Sequence, residues 1–210
     1  MQILAMLSMT SDHFGRMFLP QDALWQFIGR LAFPIYTYLL VLGYQRTRDV
    51  HRYFGRLLLI GVLAQVPYML AIRPNHINVL GTLILGLFVL YALDRLKSLP
   101  LKILLVSVVT VILEVFPFDY GFYGILLLLI YRYTSGHVMV ILHFVLNIVA
   151  VFANGPAWIL QMASLGTTLL IAYAPALVRW VDGFRIPKWM WRSFYPAHFV
   201  ILLLIRYLFG

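Results

Sequence analysis

The sequence predicts an all-α, polytopic membrane bundle of about nine transmembrane helices, within a range of roughly eight to ten. Three observations carry this reading. Of the 210 residues, 63% are hydrophobic and 11% charged, whereas an ordinary soluble domain has about 25% charged residues. Apolar runs follow one another from end to end, divided only by short charged, glycine and proline punctuation. The basic residues of the intervening loops fall alternately on one side. Residues 1–210 therefore read as a single integral-membrane domain with no repeat, linker or soluble portion.

The spans run over 2–19, 24–44, 54–72, 77–95, 101–116, 119–133, 137–153, 157–178 and 194–209. A hydrocarbon core of about 30 Å takes roughly 20 helical residues, and the first two runs are long enough. Both nevertheless hold ionisable groups, Asp12, His13 and Arg16 in the first and Arg30 in the second. Pro34 predicts a kink in the second helix that opens room for a ligand. The sixth run is short and pairs naturally with the fifth as one bent unit around Pro117. MQILAMLSM lacks a basic leader and a small-residue cleavage site, so it reads as a retained first helix.

Loop arginines and lysines set orientation. With the N-terminus cytoplasmic, the inner loops hold Arg46, Arg48, Arg52 and Arg56, then Arg95, Lys97 and Lys102, then Arg132, then Arg179, Arg185, Lys188 and Arg192, and the outer loops hold only Arg73. Asn154 and Gly210 then face outward. This asymmetry accounts for the net charge of +9 without nucleic acid, for which no groove-sized basic cluster or reading motif is present. The absence of cysteine excludes disulfides, thiolate metal sites and cysteine nucleophiles, and the sequence calls for no metal.

Ionisable groups inside a span are expensive and mark functional sites. His13 is the leading candidate, because a neutral imidazole accepts a proton near neutral pH. Asp12, its neighbour in sequence, points about 100° away on a helix and pairs instead with Arg16 one turn later. Arg30 needs an anionic or carbonyl partner, which Asp12 or Asp119 supplies, and it suits stabilisation of a developing oxyanion. His13 and Arg30 both fall near mid-membrane, on the outer side.

FPFDYGFYG brings Asp119, Tyr120 and Tyr123 to the outer end of the sixth span, where the acid can orient His13 or counter Arg30 and the tyrosines anchor at the interface or meet substrate. Asn78 lies near the outer mouth, on a stripe with Thr82 and Gly86. His143 with Asn147, and Gln161 with Ser164 and Thr168, form similar stripes, which more often join helices than bind substrates. Arg46, Arg52 and Arg56 signal topology and also suit a phosphate cluster. FYPAH sets His198 on the first turn of the last span, near the cytoplasmic boundary, to meet a ligand arriving from the cytosol or water.

Six stretches in order, SDHFG, IGRLAFPIYTYLLVLGYQRTR, RLLLIGVLAQVPY, INVLGTLILG, FDYGFYG and FYPAH, resemble the TraX-type family of membrane acetyltransferases, whose named activity is N-terminal acetylation of pilin. The resemblance runs the length of the chain. It implies a cytoplasmic (inner) membrane enzyme that uses acetyl-CoA as donor, with His13 as catalytic candidate. The acceptor would carry an amine or a hydroxyl, on a pilin-like peptide, a glycan or a small molecule. Without cysteine, transfer is direct or passes through acyl-histidine. The rival from another class is a small proton-coupled transporter built on the same charges, against which stands the lack of an inverted repeat of interrupted helices.

Overall fold

The structure is a computed structural model describing residues 1–184 and 186–209; Arg185 and Gly210, both used in the orientation argument, lie outside the described residues. Among the described residues, eleven α-helices and one 3-10 segment make up the regular structure. Among the described residues, four helical stretches are long and apolar enough to cross a membrane, at 23–46, 50–71, 136–154 and 156–173, and α5 (Val79–Leu93) and α7 (Gly121–Tyr133) are shorter apolar helices.

The second run is one helical stretch, 23–46, kinked between α2 (Ala23–Gly29) and α3 (Ala32–Arg46), as Pro34 predicts. Pro34 explains the kink: it has no N–H to donate, and its ring crowds the carbonyl four residues back, at Arg30. The interruption thus falls on Arg30 and Leu31, leaving Arg30 as the cap of α2. α1 (Gln2–Phe18) lies tight against α2. A Cβ on Gly29 would overlap Asp12 and one on Gly15 would overlap Trp25, while Ser8 Oγ donates to the Ile28 carbonyl at 2.6 Å.

α4 (Val50–Ala71) begins earlier than the apolar run does, because the Asp49 carboxylate accepts from the Arg52 backbone N–H at 2.9 Å and caps the helix. Asn78 caps α5 in the same way, through the Leu80 N–H at 3.0 Å. The loop after α6 (Leu99–Val115) is pinned to the loop before α5 by Ile77 N–H to Pro117 O at 2.8 Å and Asp119 N–H to Ile77 O at 3.2 Å. That pairing fixes Asp119, and Tyr120 then turns into α7 with φ of 67°.

α8 (Gly136–Asn154) leads into a 3-10 segment, Pro156–Ser164, then α9 (Leu165–Tyr173) and α10 (Pro175–Asp182). The span expected over 157–178 is therefore divided, with Pro175 at its second break. α11 (Lys188–Phe209) starts at Lys188, more than a turn before the expected 194, and packs mainly on α4 and also on α1.

The bundle is inverted relative to a soluble domain. Leu58, Leu59, Val62, Leu63, Val66 and Leu70 on α4 and Ile103, Leu104, Val108 and Val111 on α6 are exposed. Inside lie Thr37, Asn78, Thr82, His143, Asn147 and Ser164, all buried. A surface so apolar suits lipid, and interior polar groups then find partners across helices.

Candidate functional site

α1, the α2–α3 kink, α4, the 116–120 loop and the 3-10 segment enclose a cavity of about 530 Å³. Asp12, His13, Arg30, Tyr36, Asp119 and Gln161 are on its wall. The first two spans thus bring His13 and Arg30 to one space.

His198 Nδ1 donates to the Phe194 carbonyl at 3.1 Å, one turn back on α11. Its Nε2 is therefore an acceptor, and it faces His13 Nδ1 at 2.9 Å. The proton between the rings belongs to His13 Nδ1, which leaves the lone pair of His13 on Nε2. The rings stack, with centroids 5.1 Å apart. Asp12 Oδ2 is 3.9 Å from His13 Nε2, too far for a hydrogen bond but close enough to stabilise an imidazolium. Asp12 is itself held by Arg16 Nε at 2.7 Å, the one-turn pairing the spacing predicts.

His198 corrects the sequence reading. It lies well inside the 22-residue α11, beside His13, and not on a first turn at the cytoplasmic boundary. Lys188 and Arg192 had marked a loop, but they occupy one face of the first turns of α11. The i, i+4 spacing of those two charges was the available signal.

Arg30 meets neither acid expected for it. Asp12 pairs with Arg16, and Asp119 accepts from Tyr68 at 2.7 Å and lies 3.7 Å from Arg73. Among the described residues Arg30 Nε is buried without a hydrogen-bond partner, and so are the Tyr36 hydroxyl and Gln161 Oε1. Three orphaned polar atoms on one cavity wall are costly unless a ligand meets them. Asp119 likewise does not orient His13; it ties α4 to the 116–120 loop, with Thr82 Oγ1 donating to its carbonyl.

Tyr120 lines the cavity and stacks on Phe33 with centroids 3.8 Å apart. Tyr123 is fully buried behind it, bonded to His143 Nε2 at 2.8 Å and Ser164 Oγ at 3.0 Å. Asn78 faces away from the cavity, donating to the Gly61 carbonyl at 2.9 Å and Gln65 Oε1 at 2.8 Å. Arg46, Arg52 and Arg56 are exposed at the far end of α3 and the start of α4. Arg52 is engaged by Asp49 at 3.0 Å, and the bond from the Arg52 backbone N–H holds that carboxyl below the usual carboxylate range. Tyr36 went unmarked by the sequence, and Gln161 stood only on a stripe of a kind that more often joins helices, since nothing in an apolar run tells a packed hydroxyl or amide from an orphaned one.

The profile of the family described as "TraX protein" matches residues 1–206. The chain is 32% identical over 147 residues to a probable fimbrial assembly protein, FimC of serogroup H1, from Dichelobacter nodosus, a match covering 62% of this chain and 59% of that relative. The chain thus matches less than two thirds of the relative's length. No solved structure matches.

Proposed function

Since the chain belongs to the TraX family, we propose that this membrane protein transfers an acetyl group from cytosolic acetyl-CoA to an amine or hydroxyl acceptor at or beyond the membrane. About nine spans with a cytoplasmic N-terminus in the inner membrane complete the reading, supported by the alternation of loop arginines. The relative's name, a fimbrial assembly protein, favours a pilin-like peptide as acceptor over a glycan. The observation that carries the proposal is the free His13 Nε2 in a cavity that also holds the unpartnered Arg30 Nε.

The neutral acceptor nitrogen, or the hydroxyl oxygen, attacks the thioester carbonyl carbon as His13 Nε2 takes its proton. The C–S bond breaks, and the proton returns to the leaving thiolate, giving the acetylated acceptor and a free thiol. Arg30 meets the carbonyl oxygen as negative charge develops there. Asp12 stabilises the transient imidazolium, and His198 holds the ring and its tautomer.

Purified protein incubated with radiolabelled acetyl-CoA and membrane extract tests this, with the labelled species identified by mass. Label on an amine or hydroxyl of an extract component is the expected result. A protein that folds, binds donor and transfers no acetyl group from it would overturn the proposal.

A further inference from the structure

A second cavity of about 280 Å³ adjoins the first. The two share a wall of Met9, Tyr36, Val79 and Tyr195. Beyond it the second cavity is a slot between apolar side chains, Leu40, Leu57, Ile60 and Leu83 among them, and it reaches Gln2, Gly43, Tyr53 and Arg192 at the opposite end.

Three helices give the same length for this slot. Met9 to Gln2 on α1, Tyr36 to Gly43 on α3 and Ile60 to Tyr53 on α4 are each seven residue steps apart, about 10 Å at the helical rise. His13 lies one further turn past Met9, about 6 Å on. The far end is basic. Arg192 is exposed there, and the Arg56 guanidinium lies 5.6 Å over the ring of Tyr53, with Arg46 at the last turn of α3. At the inner end the buried Tyr36 hydroxyl has no partner, and its ring stacks on Trp191 at 5.3 Å.

We propose that this slot receives the pantetheine arm of the acetyl donor, with its phosphates on Arg56 and Arg192 and its thioester passing Tyr36 to reach His13. The assignment rests on the acetyltransferase reading given above. It adds an entry route, a new phosphate-binding residue in Arg192, and a role for Tyr36. A narrow apolar channel suits a chain of methylenes and amides, arginine forks at its mouth suit phosphates, and the Tyr36 hydroxyl gains an amide or thioester carbonyl to donate to. Arg52, held by Asp49, takes no part.

Because the protein has no cysteine, a single introduced thiol reports on the slot without any catalytic step. Ile60→Cys places it on the slot wall, and Leu63→Cys, on the exposed face of the same helix, is the control. The reagent is methyl methanethiosulfonate and the probe is desulfo-coenzyme A, which carries the arm but no competing thiol. At a probe concentration about ten times its Kd, labelling of Ile60→Cys should slow about tenfold, following the free fraction, with Leu63→Cys unchanged. Adding Arg56→Gln and Arg192→Gln should weaken protection by desulfo-coenzyme A at that concentration and leave protection by S-methyl-pantetheine, at about ten times its own Kd, unchanged.

The proposal is overturned by an unlabelled Ile60→Cys in the absence of probe, by equal protection at both positions, or by phosphatidylglycerol vesicles protecting as well as the nucleotide does. Acetyl transfer without protection would remove the slot and keep the enzyme. Protection without acetyl transfer would keep the slot and remove the acetyltransferase reading.

Discussion

Two histidines sit in polar clusters, His143 fully buried and His13 partly so, and they differ in what their nitrogens meet. His143 is closed: Nε2 faces the Tyr123 hydroxyl at 2.8 Å and Nδ1 the Thr168 hydroxyl at 2.5 Å, and Thr168 in turn meets Tyr131 at 2.7 Å. His13 is open: Nδ1 is bonded to His198 and Nε2 stands in the cavity wall. Gln161 joins the two, its Nε2 donating to Tyr123 at 3.3 Å while Oε1 is unpartnered on the cavity side. A closed network contributes packing and specificity, and an open one has capacity left for a ligand. The difference lies in satisfaction and access, since His143 is fully buried and His13 keeps a partly exposed edge.

Substitutions that treat the two clusters alike would break this contrast. His13→Ala should lower acetyl transfer by about 10² to 10⁴, the range for loss of a general base, with donor binding retained. His143→Gln should leave turnover within a few-fold and instead lower stability by about 1–3 kcal/mol, the cost of leaving a buried partner unsatisfied; thermal unfolding in detergent reads it. Similar turnover losses in both would end the distinction.

Arg30→Gln should reduce kcat by about 10² to 10³, as for a lost oxyanion donor. Since Arg30 has no carboxylate partner in the structure, little of that loss should come from unfolding, in contrast to Arg16→Gln, which strips a buried acid of its pair. His198→Phe keeps a ring but frees His13 to rotate, and a loss of about 10² in kcat with KM preserved is the expected sign of mispositioning. The smallest effect is at the arginines. Arg56→Gln should raise the apparent KM for acetyl-CoA and Arg52→Gln should not, so equal responses would return the whole loop to topology and lipid contact.

Much of this was legible in the chain. Composition and the spacing of apolar runs give the all-helical membrane bundle, and Asp12, His13 and Arg30 stand out because charge is costly where they lie. The Asp12–Arg16 pairing follows from helical spacing alone. What was hidden depended on helix ends and on contacts remote in sequence. Pro34 announces the kink, but not that the turn falls on Arg30 and leaves its Nε buried without a partner on the cavity wall. α11 extends to Lys188 because lysine and arginine tolerate a helix end at a polar boundary, which sets His198 deeper than its FYPAH context suggests. No local pattern says that His13 and His198, at opposite ends of the chain, share a proton. Nor does a sequence distinguish Tyr36, orphaned between two cavities, from Tyr68, which is satisfied by Asp119.

The central claim is that one imidazole nitrogen, Nε2 of His13, is left free to accept a proton in the cavity. Nitrogen-15 NMR of histidine-labelled protein in lipid tests it directly, with His13→Gln, His143→Gln and His198→Phe samples to assign the signals. The account predicts that the signals lost with His13 are a protonated Nδ1, coupled through its hydrogen bond to His198 Nε2, and an unprotonated Nε2 that moves when an acceptor amine is added. A proton resident on Nε2 of His13, with the lone pair on Nδ1 turned toward His198, would contradict it.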